Sequence, residues 1–426
     1  MPLRSTILLY EQQRTDTDQV DVDKSGLPPR IEAHTLTMLN DPYPKYAELR
    51  QAGALCRGGP AQWLVTRYVD VAALLSDPRL AHQFPEAYHR FSAGDTPIRS
   101  FFQRIILGRD RPDHTHLRRL MGQAISPGLV RRLHADITTL VDDLLLNAQA
   151  KGTLDLVADI AFPLPVMVVC RLLGISADDQ DEVRPHAIDL GKAFAAVVPE
   201  QERLAGGRAV TWLRAYIDEL LAQRRRRPGD DLLSRMLTAE DDGRRLTHED
   251  IVDNAVFLFF AGFETTTSLI ATGSAALLQH PDQLALLRRQ PTHIPHAIEE
   301  FLRYDAPVQV TARLTKQPIA IAGRTIKPGR VVVLSIGSAN HDERQFHNPE
   351  QLDVTRDPNP HLSFGGGIHY CLGASLARIE ATVLFTGLIE RFPTIEPAGA
   401  PVRQLGASFR SFARLPVYLS DRAATS

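Results

Sequence analysis

Residues 361–373 read HLSFGGGIHYCLG. Three consecutive glycines, Gly365 to Gly367, precede Cys371, and Gly373 with a helical apolar pattern from Ala374 onward follows it. That order sets one sulfur at a helix N-terminus, where backbone N–H groups and the positive end of the dipole lower a thiol pKa and favour thiolate. The glycines permit positive φ and let the loop lie close against a flat ligand. The residues leave three readings open. Cys371 is a nucleophile with His369 as its base, a packed structural cysteine, or a metal ligand.

The other two cysteines narrow the field. Three cysteines in 426 residues are too few for a disulfide scaffold, and their odd number and wide spacing exclude a four-thiolate zinc site within the chain. Cys170 lies in the apolar stretch PVMVVCRLLG and reads as a core thiol; Cys56, beside Arg57, has no functional case. Reduced thiols imply a cytoplasmic protein. Lys plus Arg number 48 against 50 Asp plus Glu, a net charge of −2, which argues against a strongly basic nucleic-acid binder. With 44% apolar and 23% charged residues, the chain is neither disordered nor collagenous. The longest mostly apolar stretch is 255–263, far short of the roughly 20 residues of a membrane span. No signal peptide is read at the N-terminus.

Residues 1–30 are polar, mixed in charge, and end in Gly26-Leu27-Pro28-Pro29, which reads as a flexible leader; 31–426 reads as a single domain. Helical periodicity covers 134–150, 157–173, 205–226, 247–279, 281–289, 293–304 and 373–391. Strands are expected at 62–66 and within 318–336, where Lys327-Pro328-Gly329 marks a turn and the whole reads as a hairpin or small sheet. The class is mainly α with a minor β part. The run Arg224 to Arg227 before Pro228-Gly229 reads as a helix end whose charge complements the dipole, not as a basic binding patch.

Residues 251–270 read IVDNAVFLFFAGFETTTSLI. Apolar residues on every face between 255 and 263 call for a helix buried all round. Glu264 and Thr265 follow within that setting, where an ionised carboxylate is costly. Thr265 can bond back to the Ala261 carbonyl, and Gly262 lets another group approach the backbone. Taken alone, the segment fits a helix leaving the core. The competing reading is a kinked helix over a reaction site, with an acid–alcohol pair passing protons inward.

The spacing F-x-x-G-x-H-x-C-x-G, filled by Phe364, Gly367, His369, Cys371 and Gly373, resembles the haem-binding loop of the cytochrome P-450 family. Ala261-Gly262-Phe263-Glu264-Thr265-Thr266 resembles its oxygen-activation motif, Glu300-Phe301-Leu302-Arg303 its E-x-x-R helix, and His114 to Arg118 the H-x-x-x-R helix of soluble bacterial members. The likeness runs over roughly residues 31 to 420. It implies the P-450 fold, with haem b (iron protoporphyrin IX) between the long central helix and the Cys-loop helix. It implies Cys371 as the axial thiolate ligand, with Phe364 near the sulfur and amides beyond Cys371 tuning the iron. It further implies His114, Arg118, Arg313 and His369 as propionate contacts, Ala261 and Gly373 against the haem, and Glu264 and Thr265 as the catalytic pair. Glu300, Arg303 and Arg356 look like a structural ion-pair triad holding the Cys371 loop.

The resemblance implies a monooxygenase that inserts one oxygen atom from dioxygen into a hydrophobic small molecule, by hydroxylation or epoxidation, in secondary or lipid metabolism. The chain runs about 50 residues past Cys371, without room for a flavin or iron–sulfur module, so a separate ferredoxin and its NAD(P)H-dependent reductase are expected. Arg119, Arg131, Arg132 and Arg378 are candidates for a basic docking face. The substrate pocket is expected along the loop 82–104 (Phe84, Phe91, Phe101, Phe102), at Phe259 and Phe260, at 308–310 and at 409–412. The alternative is a peroxide-using haem-thiolate enzyme acting on fatty acids. Such members usually depart from the acid–alcohol pair, and both residues are present here.

Overall fold

A computed structural model describes residues 28–421, apart from 32, 60, 126, 195–197 and 407–408. The expected leader lies outside the described residues as far as 27. Its last residues are already tied down: Pro29 accepts from the Arg57 amide at 2.7 Å, and Arg30 bridges Arg57.

The central helix, His248–Gln279, is set by its own start signal. Thr247 accepts from the Asp250 amide at 3.1 Å, and the Asp250 carboxylate accepts from the Thr247 amide at 3.4 Å, a reciprocal capping box. Helices Pro163–Leu173, Glu200–Arg226, Ile294–Tyr304 and Ala374–Arg391 pack around it. By length and composition this helix is apolar enough to cross a membrane, which the reading of 255–263 alone missed. Its apolar window is 67% buried inside the protein. It is helical without a break from His248 to Gln279. Two glycines make the close packing possible. A Cβ on Gly262 would meet Val169 Cγ2 at 3.0 Å, and one on Gly273 would meet Phe301 Cδ2 at 2.7 Å. The group that approaches Gly262 is thus a neighbouring helix, not a ligand.

Helices at 281–289 and 373–391 match the sequence pattern to within a residue. The stretch 157–173 divides instead into a π-helical turn, Val157–Ala161, and a helix restarting at Pro163, which has no N–H to continue the first. Helix Gln180–Lys192 was not expected, because Pro185 interrupts its pattern.

The largest sheet of the minor β part has five strands, in the order Leu55–Arg57, Gln62–Val65, Val331–Ser335, Val310–Thr315, Leu80–Ala81, and smaller two- and three-stranded sheets accompany it. Only Ile319–Ile321 and Arg324–Ile326 form the local hairpin. Val331–Ser335 leaves it to run parallel to Gln62–Val65. Its Val332 to Leu334 are buried on both faces, as a central strand requires.

Candidate functional site

Of the three cysteines, Cys371 alone is exposed. Burial pushes the Cys56 and Cys170 thiols up to about 12, so both are packing residues. The Cys371 loop is built as its glycines require: Gly365 and Gly367 take φ of 71° and 62°. The Cys371 amide donates to Phe364 O at 2.9 Å, closing the loop. The helix starts at Ala374 with Gly373 as N-cap, and the Gly373 amide bonds the sulfur.

The surrounding chain still desolvates the sulfur and pushes its thiol above the usual value. The Gly373 amide, Arg118 and Arg378 pull the other way and do not win. The expected lowering by the helix end is therefore not met. A protonated thiol argues against a nucleophile and fits a sulfur that ionises against a bound cation.

The central helix carries a matching open row. Residues 251–256, 259, 260, 263 and 266 are buried, whereas Phe257, Leu258, Ala261, Gly262, Glu264 and Thr265 are half-open. Those positions share one helical face. Thr265 Oγ1 donates to Ala261 O at 3.0 Å, as expected. Burial raises the Glu264 carboxyl to about 7. Its carboxylate has no hydrogen bond or ion pair among the described residues. The central helix and the helix following Cys371 pack against each other.

Buried imidazoles and an arginine gather beside the loop. The His114 and His369 rings lie 4.2 Å apart, and a third ring, His82, lies 3.7 Å from His369. Both nitrogens of His114, and Nε2 of His369 and of His82, are buried without a partner. Burial first, and positive neighbours second, hold His114 at about 4 and His369 at about 3. Arg313, 4% exposed, bonds only Thr311 Oγ1 at 2.7 Å and Ala312 O at 2.9 Å. Burial lowers it to about 10. The carboxylate acting on these groups, Asp110, is engaged by Lys316 at 3.1 Å and by the His82 and Gln83 amides. So many buried donors lacking an anion call for a ligand that carries carboxylates. A Cβ on Gly373 would meet nothing within 4 Å, so there is room beside the sulfur. The donor set thus fits haem: a sulfur for the iron, open space beside it, and imidazole and arginine donors for the propionates.

Behind the loop, Glu300 and Arg303 are fully buried and pair twice at 2.7 Å. Arg356 Nε donates to Glu300 at 3.0 Å, forming the expected triad. Arg378 donates to Glu299 at 2.6 and 2.8 Å and sits 4.3 Å over the Phe364 ring.

Of the docking candidates, Arg119 pairs with Asp241, Arg132 lies 3.9 Å from Asp230, and Arg378 is held by Glu299, so each of the three already faces a carboxylate. The side chain of Arg131 lies outside the described residues. The expected pocket loop is two helices, Glu86–Ala93 and Pro97–Arg104, and Phe101, Phe259 and Phe412 are core residues. Of the other expected pocket residues, Phe84 is half-open and stacks on Tyr88 at 4.3 Å, and Phe260 is a core residue that joins the half-open Phe194 and Phe409, with Phe102 and Phe257 also half-open against Phe194. Phe91's side chain lies outside the described residues. His82 was missed because no motif spacing marks it.

Comparison with known proteins agrees with this geometry. Residues 63–416 match the family model Cytochrome P450. The chain is 37% identical over 397 residues to the vitamin D(3) 25-hydroxylase of Pseudonocardia autotrophica, covering 91% of this chain and 96% of that one. It is 37% identical over 367 residues to the 6-deoxyerythronolide B hydroxylase of Saccharopolyspora erythraea, covering 83% and 89%. Among solved structures it resembles P450BioI in complex with hexadec-9Z-enoic acid ligated acyl carrier protein, with TM-score 0.83, 34% identity, and 89% and 99% of the two chains covered. The fold, the lone accessible cysteine and these relatives agree: the chain belongs to the cytochrome P450 family of haem-thiolate monooxygenases.

Proposed function

We propose that this P450 hydroxylates or epoxidises a hydrophobic small molecule in secondary or lipid metabolism, with electrons from a separate ferredoxin and its NAD(P)H-dependent reductase. The observation that carries the reading is Glu264 and Thr265 adjacent on the half-open face of the central helix. Haem bound at Cys371 supplies dioxygen activation. The chain's own residues do the rest. His114, Arg118, Arg313 and His369 hold the carboxylates, the Gly373 amide steadies the sulfur, Phe364 shields it, and Ala261 leaves room above the ring. Thr265 donates its hydrogen to Ala261 O and keeps its lone pairs for a proton donor on the open side. Glu264, at about 7, takes and releases protons at neutral pH.

Phe102, Phe194, Phe257 and Phe409 form a half-buried aromatic cluster, and we place the apolar substrate pocket there. The relatives named above are a hydroxylase of vitamin D(3), a hydroxylase of 6-deoxyerythronolide B and a P450 in complex with hexadec-9Z-enoic acid ligated acyl carrier protein, so the substrate is expected to be large and apolar. Free cysteines are consistent with a reducing cytoplasm. Thr265→Ala tests the core of this reading. The variant keeps its haem but yields less product per electron pair. An unchanged product-to-electron ratio contradicts the proton role.

A further inference from the structure

We infer that His82 is a third imidazole of the haem-carboxylate cradle, donating its Nε2–H to a propionate beside His114 and His369. The inference rests on the propionate reading of His114, Arg118, Arg313 and His369, and it adds a residue that no motif marks.

Strand pairing brings His82 there. Leu80 pairs with Thr315 and Ala81 with Leu314, so the next residue, His82, falls beside Arg313. Its backbone is fixed, because its amide donates to Asp110 Oδ1 at 3.0 Å, while the Gln83 amide donates to Oδ2 at 3.2 Å. Lys316 Nζ holds the same carboxylate at 3.1 Å. The ring is therefore aimed, not loose. It is 8% exposed, its centroid is 3.7 Å from that of His369, and its Nε2 has no partner.

A buried ring N–H with no acceptor is costly, so it persists where a ligand supplies the acceptor. Three neighbours of that kind leave few candidates. Asp110 is already engaged, and no group of side chains able to hold a metal ion occurs among the described residues. The missing partner is an anion carrying acceptor oxygens, set between three imidazoles and Arg313. A haem propionate meets that description.

The test measures transfer of haem from the purified ferric holoenzyme to excess apomyoglobin. It compares the parent with His82→Phe, His82→Gln and His114→Phe. Removing the donor while keeping the ring, His82→Phe, is expected to speed transfer about tenfold, the effect of one hydrogen bond to a charged group. His82→Gln keeps an N–H donor and stays within about threefold of the parent. A packing role predicts the reverse order, with Phe harmless and Gln harmful, and that result overturns the inference. Parent-like transfer in His82→Phe with acceleration in His114→Phe overturns the role of His82 alone. Parent-like transfer in both overturns the cradle itself. Should His82→Phe yield no holoenzyme, the parent and His82→Ala, which has no side-chain donor, are reconstituted with haem labelled with carbon-13 at its carboxylates. A labelled carboxylate band shifted between them in the redox-difference infrared spectrum supports the contact, and an identical band overturns it.

Discussion

Two clusters of buried polar side chains flank Cys371, and they differ in completeness. Behind the loop, all five N–H donors of Arg303 are used: on both Glu300 oxygens and on the carbonyls of Asn340, Pro349 and Gln351. Glu300 in turn also accepts from the Asp353 amide, Arg356 and Asn359. In front, His82, His114 and His369 hold nitrogens with no partner, and Glu264 stands alone. The donors of the first cluster are all met by the chain itself, with only the acceptor Asn359 Oδ1 left over, and it is a scaffold. The second is finished only by what binds there. Between these two clusters, saturation of buried donors separates structural from ligand-directed charge, although single unpartnered donors also occur elsewhere, at Arg67, Arg109 and Arg288 Nε.

The difference can be broken from either side. The largest effect belongs to the saturated cluster. Glu300→Ala leaves two arginines without their carboxylate, which costs about 3–5 kcal/mol of stability and lowers haem content, as read by unfolding and by haem per protein. A loss below about 1 kcal/mol contradicts the scaffold role.

Next comes Glu264. Burial raises its pKa from 4.5 to about 7, so the folded protein binds more protons than the unfolded chain between those values. Stability from this group therefore falls as pH rises through that window and levels off above about 7. Glu264→Gln removes the slope. The variant gains up to about 3 kcal/mol over the parent above pH 7 and about nothing below pH 4.5. Parallel pH–stability curves for the two proteins refute the lone-carboxyl picture.

The smallest effect is expected at the surface. Arg119→Ala and Arg132→Ala remove arginines already faced by Asp241 and Asp230. Each changes stability by less than about 1 kcal/mol, and each changes the rate of reduction by ferredoxin less than about twofold. A large loss that vanishes at high salt restores them as docking residues.

The sequence disclosed what local spacing controls. Glu300 and Arg303 are three apart on a helix, His114 and Arg118 four apart, and the Cys371 loop is continuous, so each cluster could be read before it was seen. What escaped depends on pairing across the chain. His82 reaches the site through a two-residue strand, and Arg378 is neutralised by Glu299, 79 residues away. The pocket phenylalanines escaped for another reason. Where a helix is apolar all round, as at 255–263, periodicity cannot tell Phe257, on the open face, from Phe259, in the core. The thiol of Cys371 was misjudged because the helix end is local, while the desolvation that outweighs it comes from the whole fold.

The central claim is that Cys371 ionises as the ligand of haem iron. The direct measurement is the absorption spectrum of the reduced holoenzyme under carbon monoxide, compared with Cys371→Ser. The account predicts a strongly red-shifted Soret band in the parent and its loss in the variant. No haem band in the parent, or a red-shifted band that survives in Cys371→Ser, contradicts it.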